Sequence, residues 1–174
     1  MLYVDLLRIT VLLAGGVATA LAGVAVVAAN QDANETALIV AAAWWVASGV
    51  LGAYLGGARR TADSISRILA GARTAKLLPA MSPGRIALKR LWPIGAFAVA
   101  CGGISWLYPQ VPVIGAGYAL GVALAWRRRE AAVTAIEERD GVRFYVEPGS
   151  AFSALELVRS PGLGRDRAPV GHLD

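Results

Sequence analysis

Four apolar segments divide this chain, and all 17 Lys and Arg residues can be placed on one side of the membrane that those segments would cross. The segments cover residues 9–29, 36–57, 91–107 and 111–126. The first two run for about 20 residues without Asp, Glu, Lys, Arg or His, which at about 1.5 Å per residue matches a hydrocarbon core of roughly 30 Å. The sequence therefore predicts an all-α polytopic membrane protein with a four-helix transmembrane domain over residues 1–126.

The third and fourth segments are shorter and are joined through residues 108–110. A re-entrant hairpin is an alternative for this pair. Against it, Trp92 and Trp126 lie at one end of the pair, whereas Trp106 lies at the other. Aromatic residues concentrate in this way at the two faces of a bilayer, so two full crossings are favoured.

The loops predict the orientation. Residues 30–35 contain Asp32 and Glu35 and no base, whereas residues 58–90 contain eight bases and a single acid, Asp63. Short loops rich in Lys and Arg stay in the cytoplasm. We therefore expect the 58–90 loop and both termini to be cytoplasmic, in a multi-pass protein of the cell inner (plasma) membrane.

Segment one has a competing interpretation as a cleaved signal peptide, because small residues lie near Val24–Asn30. Its apolar run is longer than a usual signal core, and Asp5 balances Arg8 in the region before it. Retention of the segment is favoured, and the rest of the topology is the same in both cases.

Residues 59–78 of the 58–90 loop are predicted to form an amphipathic helix at the level of the lipid headgroups. Ile65, Ile68, Leu69 and Ala72 follow helical spacing. Ser82–Pro83 is typical of a helix start leading into the third crossing. Bases at a cytoplasmic membrane surface attract anionic lipids. The predicted contacts with anionic lipid are Arg67, Arg73, Lys76, Arg85, Lys89 and Arg90.

Small residues recur four positions apart in three of the apolar segments. In lipid this spacing lets two helix backbones approach closely. The predicted packing residues are Gly15, Thr19 and Gly23 in the first segment, Ser48, Gly52 and Gly56 in the second, and Gly117 and Gly121 in the fourth. They fit packing within the chain or, as the alternative, a face for another subunit.

Residues 127–160 are predicted to form a short cytoplasmic tail. Helix continues through residues 130–139 and ends at Asp140–Gly141. Val142, Phe144 and Val146 then alternate with polar residues, as in a half-buried strand. Residues 151–160 fit a returning strand or a helical face, and the extended return, which would make a β-hairpin, is favoured. Residues 161–174 lack periodicity and are predicted to be a flexible tail.

The sequence contains no recognisable catalytic or metal-binding motif. The single cysteine, Cys101, lies in the third segment, and the single histidine, His172, lies in the tail. None of the four segments has the carboxylate, histidine or lysine that coupled transport usually needs. We therefore expect no enzyme activity, no cofactor and no metal site. The bases flank membrane segments, so we expect no nucleic-acid partner.

Two functional hypotheses remain. The first is a non-catalytic accessory or assembly subunit that docks another membrane or cytosolic protein, or a second copy, through the basic loop and the tail. Val142, Phe144 and Val146 are its predicted docking residues. The second is a small oligomeric channel or holin-like pore lined by Thr10, Thr19, Ser48 and Ser105. These hydroxyls are too few to form a polar stripe, so the first hypothesis is preferred.

Overall fold

The computed structural model describes residues 1–31, 35–56, 65, 69, 72–74, 82–153 and 155–161. Helix dominates these residues. The helices are α1 (Tyr3–Gln31), α2 (Glu35–Leu55), α3 (Pro83–Ile104) and α4 (Gln110–Asp140), and the strands are β1 (Arg73–Thr74), β2 (Val142–Val146) and β3 (Leu157–Pro161).

Two of these helices are long and apolar enough to cross a membrane, over Tyr3–Asn30 in α1 and Leu38–Leu55 in α2. Only 28% and 17% of their most apolar windows are buried within the chain. The core helices of a soluble protein are mostly buried, so these two helices expose more apolar surface than such core helices do. Within the described ranges α3 and α4 do not meet the same test, because their uncharged stretches are shorter.

Helix α4 is the central helix, and α1 runs antiparallel to it. Arg8 near the start of α1 pairs with Glu130 near the end of α4, with 3.1 Å between Nε and Oε1. At the other end of the pair, Leu21 lies against Gly115. The start of α1 and the end of α4 therefore share one end of the molecule.

Helices α2 and α3 complete the bundle in opposite directions. Helix α2 runs parallel to α4, since the Trp45 indole N–H donates to the Val113 carbonyl at 3.0 Å and Gly56 contacts Ala125. Helix α3 runs antiparallel to α4, with Cys101 against Gly115. The starts of α1 and α3 and the ends of α2 and α4 thus lie at the same end.

The helix boundaries follow local sequence signals. Helix α3 begins at Pro83 as predicted, although Ser82 caps it through backbone geometry alone and its hydroxyl makes no cap hydrogen bond. Helix α4 continues unbroken to Asp140, and Gly141 ends it with φ 62° while donating its N–H to the Glu137 carbonyl. Glycine adopts this left-handed conformation without the steric cost that other residues incur.

The strands form one three-stranded sheet in the order β1-β3-β2. Strands β2 and β3 are antiparallel, with Val146 opposite Leu157, and the extended return is therefore confirmed. Strand β1 pairs in parallel with β3. Residues Arg73–Thr74 were predicted to be helical, and this was wrong because their backbone pairs with β3; the rest of the predicted loop helix lies outside the described residues, apart from Ile65, Leu69 and Ala72.

The free edge of β2 is occupied by the beginning of the chain. Leu2 forms an antiparallel bridge with Tyr145, and the Val146 N–H donates to the Met1 carbonyl at 2.9 Å. Edge strands with unpaired backbone groups invite association with other chains. Along this part of β2, the backbone of Met1 and Leu2 pairs with the edge of the sheet.

Two separate apolar clusters hold the molecule together. The first, which we call the cap core, joins the sheet to the helix ends near it. Its buried members are Tyr3, Leu6, Leu7, Ile65, Leu69, Ile86, Val133, Val142, Phe144, Val146 and Leu157. The second, the bundle core, comprises Val17, Ala18, Leu21, Cys101, Ala116 and Ala119.

Helix α1 contributes to both cores. Leu7 is fully buried in the cap core, and burial of a leucine side chain contributes roughly 1.5–3 kcal/mol to stability. Leu21 on the same helix is buried in the bundle core. Helix α1 therefore connects the two cores.

Candidate functional site

A basic pocket opens at the end of the molecule that carries the sheet. It has a volume of about 440 Å³ and lies between the first turns of α3 and the connection from β2 to β3. One wall consists of Arg85, Ile86, Lys89 and Trp92, and the other of residues 148–150. A one-turn spacing places Arg85 and Lys89 on the same face of α3.

No acid of the described residues pairs with the bases that line this pocket. Neither Arg85 nor Lys89 forms an ion pair with an acid of the described ranges, where the ion pairs are Arg8–Glu130 and Arg139–Asp140. The start of α3 adds the positive end of a helix dipole. The pocket therefore has the electrostatic character of an anion site.

Arg90 packs directly behind the pocket wall. A Cβ on Gly149 would lie 2.9 Å from Arg90 Nη2 and 2.6 Å from Ser153 Oγ, so the connection approaches Arg90 as closely as a glycine allows. Arg90 Nε is buried and has no hydrogen-bond partner in the described part of the chain. Burial lowers the pKa of Arg90 through desolvation.

An aromatic pair stands at the mouth of the pocket. The rings of Trp92 and Phe152 meet edge to face with their centroids 6.1 Å apart. Trp92 is 52% exposed and Phe152 is 83% exposed. Exposed aromatic side chains of this kind are enriched at membrane–water interfaces.

Four of the six predicted lipid-contact residues lie in the described part of the chain. The structure brings Arg85, Lys89 and Arg90 together around this pocket. Arg73 lies in β1, at the same end of the molecule. Arg67 and Lys76 lie outside the described residues.

The residues of the opposite pocket wall were not singled out in the sequence. Pro148, Gly149 and Ser150 give only the signal of a turn. Their position over α3 depends on how the sheet packs on the helices, which no local pattern reveals.

The predicted packing residues of α2 and α4 meet each other along one seam. A Cβ on Gly52 would lie 2.7 Å from the Gly121 Cα, and one on Gly117 would lie 2.8 Å from the Ser48 Oγ. Further along, Gly56 lies against Ala125. This seam is the close backbone contact that small residues four apart permit.

The packing residues predicted on α1 have no comparable partner. A Cβ built on Gly15 or Gly23 would meet no atom within 4 Å. Thr19 is exposed and donates its hydroxyl to the Gly15 carbonyl at 3.0 Å. Within the chain, helix α1 packs through larger residues such as Leu21.

The predicted docking residues lie inside the molecule. Val142, Phe144 and Val146 are all buried in the cap core, with exposures of 8%, 3% and 0%. Helices α1 and α4 cover the strand face that the sequence left without a neighbour. The prediction that these three side chains are open for docking is therefore wrong, because the chain's own helices cover them.

Glu137 is a buried acid in the cap core that the sequence analysis did not identify. One of its carboxylate oxygens accepts a hydrogen bond from the Phe144 N–H at 3.0 Å. Desolvation by burial raises the pKa of Glu137, and the hydrogen bond from Phe144 opposes that rise. The carboxylate ties the end of α4 to the middle of β2.

The hydroxyls proposed as a pore lining do not form a stripe. Thr10 is buried and donates to the Leu6 carbonyl at 2.8 Å, and Ser105 likewise donates to a carbonyl of its own helix. Ser48 is buried at the α2–α4 seam. Thr10, Thr19 and Ser105 thus each bond to a backbone carbonyl three or four residues earlier.

A larger and mainly apolar cavity, of about 730 Å³, lies at the opposite end of the molecule. It opens between the end of α1, the start of α2 and the start of α4. Its walls include Ala25, Val26, Leu38, Trp44 and Ile114. The described residues of this lining are apolar or uncharged.

The described residues contain no group of three or more His, Cys, Asp or Glu side chains that could hold a metal ion. Comparison with protein-family models finds no match. Comparisons with curated proteins and with solved structures also find none.

Proposed function

We propose that this protein is a non-catalytic accessory or assembly subunit of the cell inner membrane, with four crossings and with both termini in the cytoplasm. The observation that carries the proposal is the rigid connection between apolar helices and cap: α4 is unbroken from Gln110 to Asp140, and α1 belongs to both cores. A partner bound to the cap is therefore held at a fixed height and orientation relative to the membrane.

The alternating helix directions support four crossings. Helices α3 and α4, like α1 and α2, expose large apolar side chains on their outer surfaces. Such side chains are stable in contact with lipid and costly in contact with water. These exposed side chains include Val99, Ile104, Ile114 and Tyr118. Trp106 at the α3–α4 connection is 93% exposed, as an interfacial aromatic would be.

The charge distribution supports the orientation. Every Lys and Arg in the described ranges belongs to the end that carries the cap, from Arg8 in α1 to Arg159 in β3. The opposite end, where α1 leads to α2, carries Glu35. Because bases are retained on the cytoplasmic side of a membrane, this distribution supports a cytoplasmic cap.

The docking surface is the charged exterior of the cap. Arg143 in β2 and Arg159 in β3 are exposed, and Glu138 and Arg139 lie at the exposed end of α4. Because the apolar strand face is internal, contact with a membrane or cytosolic partner, or with a second copy, relies on these polar groups. Charge complementarity then sets the choice of partner.

Copurification from native membranes in mild detergent tests the proposal. Replacing Arg143 and Arg159 with Gln removes two exposed charges from the cap and is expected to release the partner that accompanies the wild-type chain. The control replaces Arg127 and Arg128 with Gln, which removes the same charge from exposed positions on α4. If both variants retain every protein that accompanies the wild type, the docking role of the cap is wrong.

A further inference from the structure

The basic pocket is built differently from a general basic surface. Its cationic groups lie on one face of α3. Its other wall is the connection from β2 to β3, where Gly149 packs closely against Arg90. A volume of about 440 Å³ admits a headgroup and excludes a helix or a strand. The chemistry around it selects for a small anion with several acceptor oxygens.

A phosphate group satisfies what the chain leaves unsatisfied. Arg85 and Lys89 line the pocket and offer donors without acidic partners in the described residues. Arg90, half-buried behind the wall against Gly149, adds positive charge next to them. Hydrogen bonds between guanidinium and phosphate are charge-assisted and are stronger than neutral ones.

The position of the pocket decides between a lipid and a soluble phosphate. The uncharged part of α3 begins directly after Arg90, so the pocket lies at the level where the predicted crossing starts. Trp92 and Phe152 at its mouth present apolar rings next to the basic groups. A ligand with a phosphate at one end and an apolar body at the other meets both features.

We propose that the pocket formed by Arg85, Lys89, Trp92 and residues 148–150 binds the phosphate headgroup of one anionic phospholipid from the cytoplasmic leaflet. The acyl chains of the lipid lie along the apolar part of α3, past Trp92. This assignment rests on the proposed placement of the cap in the cytoplasm. It does not depend on whether a protein partner binds the cap.

The purified full-length chain in a neutral detergent tests the assignment. Short-chain phosphatidylglycerol is titrated while tryptophan fluorescence is recorded, because Trp92 lines the pocket. A Trp92→Phe variant identifies the part of the signal that comes from this residue among the five tryptophans. Parallel titrations use short-chain phosphatidylcholine, which is zwitterionic, and glycerol 3-phosphate, which is soluble.

We expect saturable binding of phosphatidylglycerol, about tenfold or more tighter than that of phosphatidylcholine, and no saturable response to glycerol 3-phosphate. Replacing Arg85 and Lys89 with Gln should weaken the binding by about tenfold or more. The matched control, with Arg127 and Arg128 replaced by Gln, removes the same charge outside the pocket and should stay close to the wild type.

Three results would overturn the assignment. Equal weakening by the two double variants would mean that the bases act as a diffuse surface. Equal affinity for the two phospholipids would mean that the pocket does not recognise net charge. Binding of glycerol 3-phosphate as tight as that of the lipid would assign the pocket to a soluble phosphate. Loss of a protein partner in the copurification experiment is a separate readout, so the two proposals fail independently.

Discussion

At the scale of single residues, Glu137 is the least expected feature of the cap. Carboxylates are seldom buried, because transfer of the charge out of water is costly unless hydrogen bonds compensate it. Glu137 is only 9% exposed, and the Phe144 N–H supplies one such bond. The contribution of Glu137 to the free energy of unfolding therefore depends on whether its carboxyl group is protonated.

The pH dependence follows from the direction of the pKa shift. Desolvation raises the folded-state pKa of Glu137 above the unfolded value, so the folded chain binds the proton more tightly. The resulting stabilisation of the fold is fully present below the pKa that Glu137 has in the unfolded chain. It is lost as the pH rises through the higher pKa of Glu137 in the folded chain. Glu137→Gln, which is neutral throughout, should unfold at a higher temperature than the wild type at about pH 8, and the difference should shrink toward about pH 5.

Thermal unfolding in detergent, followed by circular dichroism, measures this effect. Glu138→Gln on the exposed side of the same turn is the control and should show little pH-dependent difference. Glu137→Ala should instead be destabilised by roughly 1–3 kcal/mol, because the Phe144 N–H is left buried without an acceptor. A Glu137→Gln variant that is less stable than the wild type at every pH would contradict the assigned role of burial.

At the scale of secondary-structure elements, the α2–α4 seam is the most specific contact of the bundle. Ser48, Gly52 and Gly56 of one helix face Gly117, Gly121 and Ala125 of the other, and the two helices run in the same direction. Association in lipid lacks the hydrophobic driving force present in water, so close van der Waals packing has to hold such helices together. The seam therefore tolerates little added volume.

Gly52→Ala should destabilise the bundle, because the added methyl group would overlap the Gly121 backbone. Overpacking of this kind costs roughly 1–3 kcal/mol and outweighs the roughly 0.5–1 kcal/mol that alanine contributes to a helix relative to glycine. Gly23→Ala is the matched control, since its methyl group meets no atom within 4 Å and should be neutral or slightly stabilising. Unfolding temperatures in mild detergent compare the two, and equal effects would contradict the seam.

The elements also show where sequence patterns suffice. Hydrophobic periodicity and the positions of proline and glycine predicted the start of α3 at Pro83, the end of α4 at Gly141 and the alternation in β2. Each of these features depends on residues close together in the sequence. The small-residue spacing coincides with a close contact between α2 and α4 and with no such contact at Gly15 and Gly23 of α1, since spacing shows that a close contact is possible without showing which helix makes it. Val142, Phe144 and Val146 were assigned to a partner chain, and their cover comes instead from residues far away in the chain, such as Leu7.

At the scale of the whole molecule, the cap and the apolar helices form one body. The helix ends that carry the bases meet the sheet, and the opposite end has short connections and apolar walls. If the molecule lies across a membrane with this polarity, its two ends face different compartments. Chemical labelling distinguishes them.

Single cysteines placed at exposed positions should report this polarity in a chain whose Cys101 is replaced by Ala. A cysteine at Asn30 or at Trp106 should react with an impermeant maleimide in intact cells, and one at Phe152 should react only after lysis. All three native side chains are exposed, so access depends on the compartment and not on burial. Protection of the Trp106 position would favour the re-entrant hairpin, and labelling of the Phe152 position from outside would reverse the orientation.

The pairing of Leu2 with Tyr145 also has a meaning for biosynthesis. Leu2, Leu6 and Leu7 acquire these neighbours only when β2 has been translated, after all four helices have been made. Until then Leu6 and Leu7 lack the strand that covers them, and transiently exposed apolar surface of this kind favours aggregation. A chain that stalls before Val142 keeps that apolar surface open, so closure of the cap distinguishes a chain translated through β2 from an interrupted one.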